Sequence, residues 1–162
     1  MARRSPGGTL SRVPTLLIVH HTPSPATAEM FDAVLRGATD PDITGVDVVR
    51  RAALAATASD VLAADGLLLG TPANIGYMSG ALKHFFDQIY YPVLDDTKGL
   101  PYGLFVHGNL GTEGAVNSVT SIAEGLNWKQ VTEPAVITGP PDKKALERCY
   151  ELGATLAATL MP

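Results

Sequence analysis

Five short apolar runs rich in β-branched residues recur along this chain, at 14–20, 44–50, 66–70, 102–107 and 129–137, and the text between them has helical period. Phe31, Val34 and Leu35 mark the first helical stretch. Leu82, Phe85, Phe86 and Ile89 fall at i, i+3, i+4 and i+7 in another, and Val116, Val119, Ile122, Ala123 and Leu126 repeat the pattern in a third. The stretch 146–160 does so in the last, while 51–64 is Ala-rich and helix-like with weak amphipathicity. Strands alternating with helices of this length imply right-handed βαβ crossovers and a parallel sheet covered on both faces. Five βα units predict a doubly wound three-layer α/β sandwich with a five-stranded parallel sheet in the order 2-1-3-4-5, rather than the six-stranded dinucleotide-binding arrangement.

A chain of 162 residues, 46% of them apolar, can fill one such core and not two. The expected organisation is therefore one domain, 14–162, preceded by a loose arm, 1–13. The opening MARRSPGGTLSRV has the charges of a signal peptide's first region. The apolar TLLIV that follows is only about five residues long and runs into a polar turn where a cleavage site would be needed. The longest apolar run, near VLAADGLLLG, is broken by Asp65 and falls short of the roughly 20 residues that span a bilayer, so no membrane insertion is expected. A net charge of −4 and the lack of any Lys/Arg cluster with interleaved aromatics argue against nucleic acid as a partner. Cys149 is the one cysteine, so no internal disulfide forms. It lies at helical spacing with Leu146, Leu152 and Leu156, reads as a buried structural thiol, and fits a cytoplasmic location.

In this architecture ligands bind beyond the carboxyl ends of the strands, where the winding reverses. Three turns qualify, and the first is HHTPSPATAEMF from His20 onward, with hydroxyls at Thr22, Ser24 and Thr27 just before a helix. A helix N-terminus has unpaired N–H groups and about half a positive charge. With three hydroxyls added, that suits a phosphate without Lys or Arg. The same residues also allow a plainer reading, in which Ser24 or Thr27 is only an N-cap. No G-x-x-x-x-G-K-[ST] and no G-x-G-x-x-G after the first strand is present. A phosphoryl-accepting receiver domain would need carboxylates where His20, His21, Gly70 and Thr71 stand.

The second turn, GTPANIGYMSG, joins Thr71, Pro72 and Asn74 to Ile75, Gly76, Tyr77 and Met78, with Ser79 placed to cap the next helix. One amide, one phenol and several apolar faces suit a flat, partly polar ring. The third turn, HGNLGTEG, adds His107, Gly108, Asn109 and Gly111, whose polar groups can meet the edge of such a ring. His20, His21 and His107 read as hydrogen-bonded turn residues rather than metal ligands, since no carboxylate accompanies them. Tyr90, Tyr91, Tyr102 and Trp128 belong to the opposite edge and read as packing or subunit contacts.

The text TPANIGYMSGALKHFFD resembles the second flavin loop of the flavodoxin-like superfamily, T-P-x-x-x-G-x-[MI]-x-G-x-[LM]-K, with matches at Thr71, Pro72, Gly76, Met78, Gly80, Leu82, Lys83 and Asp87. It is most similar to the NAD(P)H:quinone oxidoreductases of the tryptophan-repressor-binding-protein type and to the NADPH-dependent FMN reductases. The first turn, T-P-S-P-A-T, is similar to the flavodoxin phosphate signature [ST]-x-[ST]-G-x-[ST], with Pro25 in place of glycine. The resemblance implies a flavodoxin-like fold with FMN as cofactor and NAD(P)H as electron donor, and a quinone or similar small molecule as acceptor. It implies that Thr22, Ser24 and Thr27 hold the FMN phosphate. Thr71, Pro72, Asn74, Ile75, Gly76 and Tyr77 would line one side of the isoalloxazine, and His107, Gly108, Asn109 and Gly111 the other. The flavin supplies the hydride chemistry, so no catalytic acid or base is required of the protein. A homodimer or homotetramer is implied by analogy, through the region of Phe85, Tyr90 and Tyr91. Two other readings stay open: a flavodoxin-type electron carrier without its own NAD(P)H turnover, and an interaction module that binds flavin poorly because Pro25 removes an N–H from the phosphate loop.

Overall fold

The computed structural model describes residues 12–162. Most of the expected arm thus lies outside the described residues, while Arg12 is held to Asp65 by an ion pair of 3.0 Å. The elements are β1 (Thr15–His20), α1 (Pro25–Ala38), β2 (Asp47–Ala52), α2 (Ala58–Ala63), β3 (Gly66–Asn74), β4 (Tyr77–Met78), α3 (Gly80–Val93), β5 (Pro101–His107), α4 (Thr112–Gly125), β6 (Lys129–Gln130), β7 (Ala135–Ile137) and α5 (Lys143–Thr159). The main sheet runs β2-β1-β3-β5-β6 with every pairing parallel, which is the expected 2-1-3-4-5 order.

Strand alternation sorts the core into two layers. Leu16 and Ile18 face α1 and α5, meeting Met30, Val34, Cys149, Leu152 and Leu156. Leu17 and Val19 point the other way, into a second layer with Leu82, Phe85 and Phe86 of α3 and Val119 of α4. Cys149 is fully buried, and burial pushes its thiol up to about 11. The structural reading of that residue holds. Tyr102 and Trp128 are packing residues as well: both are buried, and Trp128 Nε1–H donates to Thr97 Oγ1 at 2.9 Å. Of the region expected at a subunit contact, Tyr91 is 80% exposed, whereas Phe85 is fully buried in the core and Tyr90 packs partly buried against it, so Phe85 is a packing residue.

Three elements depart from the sequence expectation. The fifth strand is two short pieces, because β6 pairs with Pro101 and Tyr102 while β7 pairs with Phe105 to His107, and the partner offset grows by two residues between them. Val131 N–H still donates to Tyr102 O at 3.1 Å, residues 132–134 then bow out of the ladder, and Pro134 has no N–H to give it. Helix α2 occupies only 58–63, because Arg51 and Ala52 complete β2 and Thr57 caps the helix late through a reciprocal bond with Asp60. The third strand continues past Gly70 to Asn74 and folds back as β4, pairing Ala73 with Met78 and Asn74 with Tyr77.

Candidate functional site

The three expected turns leave β1, β3 and β5, which are neighbours in the sheet, so all three open on its carboxyl edge. Two of them touch. The β3–β4 hairpin turns through Ile75 (φ 51°) and Gly76 (φ 68°), both left-handed, as the two-residue hairpin loop with the right twist requires. Gly76 lies directly on the start of α4. A Cβ on Gly111 would come within 2.7 Å of Gly76 Cα, and one on Gly114 within 1.9 Å of Gly76 O. Ser118 of α4 anchors the returning strand by accepting the Met78 N–H at 3.1 Å. This close approach explains why a β-branched residue stands at positive φ: the hairpin is held from outside, against the local preference of Ile75.

Held in this way, the hairpin presents a fully exposed Ile75, and the neighbouring loop presents Leu110 at 87% exposure, with Tyr77 partly exposed beside them. Asn74 and Asn109 are exposed, and their side-chain amides have no hydrogen-bond partner among the described residues. Thr71 and His107 are both tied into the chain, His107 as the hydrogen-bonded turn residue that its place at a strand end predicts. Thr71 is buried, its hydroxyl donating to Pro72 O at 2.7 Å and accepting the Ser79 N–H at 2.9 Å, so it braces the loop from below. His107 Nε2–H donates to Gly139 O at 2.8 Å, tying the end of β5 to the segment after β7. Ser79 caps α3, accepting the Leu82 N–H at 3.2 Å, as its position predicted.

The first turn forms a reciprocal cap. Ser24 is the N-cap of α1, and Pro25 fills N1, where an N–H would lack a helical partner in any case. Thr27 N–H donates to Ser24 Oγ at 3.1 Å, and Ser24 N–H donates to Thr27 Oγ1 at 3.0 Å. Thr27 is only 3% exposed and its hydroxyl can also donate to Ser24 O, 3.1 Å away, so it organises the turn from within. Ser24 and Thr22 are half-buried. Thr22 Oγ1 lies 2.9 Å from Nδ1 of His20, whose ring stacks on Phe31 with centroids 3.9 Å apart. Burial, with Arg50 and His21 adding to it, pushes the His20 imidazole down to about 4. Both the cap and the phosphate reading of these hydroxyls are thus physically open, and the cap is the one the isolated chain makes.

The helices that follow the three turns differ in charge at their starts. Helix α4 begins with Glu113 in its first turn, which already answers its dipole, whereas the first turns of α1 and α3 hold no acid.

A family model for NADPH-dependent FMN reductases matches residues 20–140, a span covering all three turns. The chain belongs to that family. It is 36% identical over 158 residues to a flavodoxin of Aquifex aeolicus (strain VF5), covering 88% of this chain and 84% of that protein. Among solved structures it is similar to an archaeal flavodoxin, with a TM-score of 0.77 at 18% identity over 90% of this chain and 98% of that one. It is also similar to a WrbA-like flavodoxin of Agrobacterium tumefaciens, with a TM-score of 0.74 at 18% identity over 91% and 97%. These two likenesses show the fold, and with the family match they place the chain in the flavodoxin-like FMN-binding superfamily.

The residues of this reductase-family chain suit FMN. Thr22 and Ser24 offer half-buried hydroxyls, Ala26 an N–H with no acceptor among the described residues, and α1 an acid-free start. Pro23 and Pro25 subtract two N–H groups from the same turn. The hairpin and the loop after β5 expose Ile75, Tyr77 and Leu110 together with the amides of Asn74 and Asn109, a mixture suited to a flat heteroaromatic ring. The signals that sequence reading left unused are the Ile75-Gly76 pair, a two-residue turn ending in glycine between short extended segments, and Leu110, an apolar residue inside a polar loop.

Proposed function

We propose that this protein binds FMN with the phosphate at Thr22, Ser24 and the start of α1. The hairpin residues Asn74, Ile75, Gly76 and Tyr77 and the loop residues Gly108, Asn109 and Gly111 would hold the isoalloxazine. Held by these residues, FMN would supply hydride chemistry between NAD(P)H and a quinone or a similar small acceptor. The observation that carries this reading is the seating of Gly76 on Gly111 and Gly114, which fuses the second and third turns into one apolar rim beside an acid-free helix start. In this reading Thr71, Thr27 and His107 act as braces: they hold the loops in shape while the exposed residues meet the ring. Two groups of the chain, Ser24 Oγ and Thr22 Oγ1, carry the phosphate contact together with Ala26 N–H.

The test has two parts. FMN and riboflavin are titrated by quenching of flavin fluorescence, in the wild type and in Ser24→Ala and Thr22→Val. The reading expects FMN to bind more tightly than riboflavin, with the variants narrowing that gap. NADPH and NADH oxidation by the FMN-loaded protein is then followed with and without a quinone, and turnover is expected to rise with the quinone. Equal affinity for both flavins would refute the phosphate placement.

The 36%-identical flavodoxin favours a second reading, an electron carrier reduced by a separate partner. That reading expects FMN binding with no NAD(P)H oxidation above the rate of free FMN, so the second part of the test separates the two.

A further inference from the structure

His20 is a histidine at the end of a buried strand, and the flavin chemistry gives it no task. Three observations bear on it. Its ring plane is fixed by stacking on Phe31, with centroids 3.9 Å apart and planes 17° from parallel. Its Nδ1 is 2.9 Å from Thr22 Oγ1, a hydroxyl at the mouth of the α1 turn. No acceptor among the described residues claims a hydrogen on Nε2, so the protein does not hold the ring in the Nε2–H form.

A neutral imidazole carries one N–H, and its position decides what Thr22 can do. With the hydrogen on Nε2, Nδ1 is an acceptor, and the Thr22 hydroxyl turns its hydrogen inward to the ring. Its lone pairs then face the turn and would repel an oxyanion. With the hydrogen on Nδ1, the ring donates to Thr22 Oγ1, and the hydroxyl hydrogen is released to point outward. The exchange conserves protons, since one hydrogen moves between the ring nitrogens and none is gained. A phosphate at the turn interacts favourably with the second arrangement alone.

We propose that His20 is a positioning residue for the FMN phosphate, donating from Nδ1 to Thr22 Oγ1 so that the Thr22 hydroxyl donates to a phosphate oxygen. This rests on the placement of the phosphate at the first turn. It adds to that placement a relay built from a strand-end histidine, and it makes the flavin preference depend on a residue that acts through Thr22. Burial keeps the ring uncharged near neutral pH, so His20 acts through orientation and not as a counter-ion.

The test measures the ratio of FMN to riboflavin affinity in the full chain. His20→Phe keeps an aromatic ring against Phe31 and removes Nδ1; Thr22→Val removes the hydroxyl; the double variant combines them. Thr22→Val is expected to lower the FMN-over-riboflavin ratio by roughly 10- to 100-fold, as loss of a hydrogen bond to a charged group does. His20→Phe is expected to lower it by at least about threefold, and the double variant to match Thr22→Val alone. The isosteric pair His20→Asn and His20→Gln adds a positional readout that does not depend on how well His20→Phe folds. Asn places its amide near Nδ1 and should retain more of the ratio, whereas Gln places its amide near Nε2 and should lose it. An unchanged ratio in His20→Phe with a reduced one in Thr22→Val would overturn the relay and leave the phosphate site standing, as would an equal loss on adding His20→Phe to Thr22→Val. Unchanged ratios in both Thr22→Val and Ser24→Ala would overturn the site and the relay together.

Discussion

The contact of Gly76 with α4 is the point at which a single methyl group should separate flavin binding from folding. Gly114→Ala places a Cβ 1.9 Å from Gly76 O, and the first atom met is backbone, which cannot swing aside as a side-chain end would. The hairpin must lift from α4 by more than about 1 Å to restore an ordinary contact, and overpacking of this kind costs about 1–3 kcal/mol. Part of that is offset, because alanine in a helix is about 1 kcal/mol more favourable than glycine and Gly114 lies within α4. Net destabilisation should therefore be about 2 kcal/mol or less, and the protein should still fold. Flavin binding has no such offset. Displacement of Ile75 and Tyr77 from Leu110 and Asn109 opens the rim, and the loss of about 1.4 kcal/mol of ring contact is a tenfold loss of affinity.

Because the perturbation acts on the ring side, FMN and riboflavin should weaken together, unlike the phosphate-side variants, which weaken FMN alone. Fluorescence titration of both flavins, alongside thermal melts, reads this directly. Gly80→Ala is the matched control: it lies at the start of α3, a Cβ there meets nothing within 4 Å, and it should stabilise slightly with flavin affinity unchanged. Gly114→Ala protein that binds both flavins within about twofold of wild type would refute the fused-rim reasoning, whatever its melting temperature.

Gly153→Ala on α5 sets a Cβ 2.0 Å from Val34 O of α1, so these helices must separate; a loss of about 1–3 kcal/mol in urea midpoints is expected, with flavin affinity unaffected once folded. Thr71→Val deprives the buried Ser79 N–H of its acceptor and should cost about 1–3 kcal/mol, read as a melting temperature lower by about 2–4 °C per kcal/mol. The His20 imidazole, at about 4 in the folded protein against an ordinary 6.5, takes up its proton first in the unfolded chain. Its contribution is fully present above about pH 6.5 and is lost as pH falls towards 4. The ceiling is about 3 kcal/mol, reduced to about 1–2 kcal/mol because the ring is partly exposed. Wild type should therefore lose more stability than His20→Phe between pH 7 and pH 4.5, and equal losses would refute the assignment.

The parallel order was legible because burial on both faces gives strands a continuous apolar signature, and Leu16 to Val19 and Leu67 to Leu69 have it. The returning β4 was not, since Pro72 and Asn74 read as loop and Ile75 is a poor residue for a left-handed turn. What forces the hairpin is its seat on Gly111 and Gly114, some 35 residues later, which no local pattern encodes. The fifth strand read as one run because Val131, Val136 and Ile137 keep strand character across the gap, while the interruption comes from register against β5. At the first turn the hydroxyls were legible as a group, but their division of labour was not. Thr27 is buried by its place at N3 of α1, and the His20–Phe31 stack needs the turn already folded.

The division of labour bears on what the two prolines do to cofactor affinity. Pro25 removes an N–H that would face an anion at α1, and a hydrogen bond to a charged group is worth roughly 1.5–3 kcal/mol. Against this, each proline narrows the unfolded ensemble by about 0.4–1 kcal/mol at a compatible position, and the Ser24–Thr27 cap fixes the turn before any ligand arrives. The two effects are similar in size and opposite in sign, but they differ in kind. Preorganisation helps whatever binds, while the missing N–H is lost only to an anion. A turn built this way gives the side-chain hydroxyls a larger share of phosphate recognition than a glycine-containing loop would, where backbone N–H groups can substitute for one another. In the proposed phosphate site, Thr22 and Ser24 would have no backbone understudy apart from Ala26, and a histidine that set the direction of one hydroxyl would gain leverage over the whole phosphate contact.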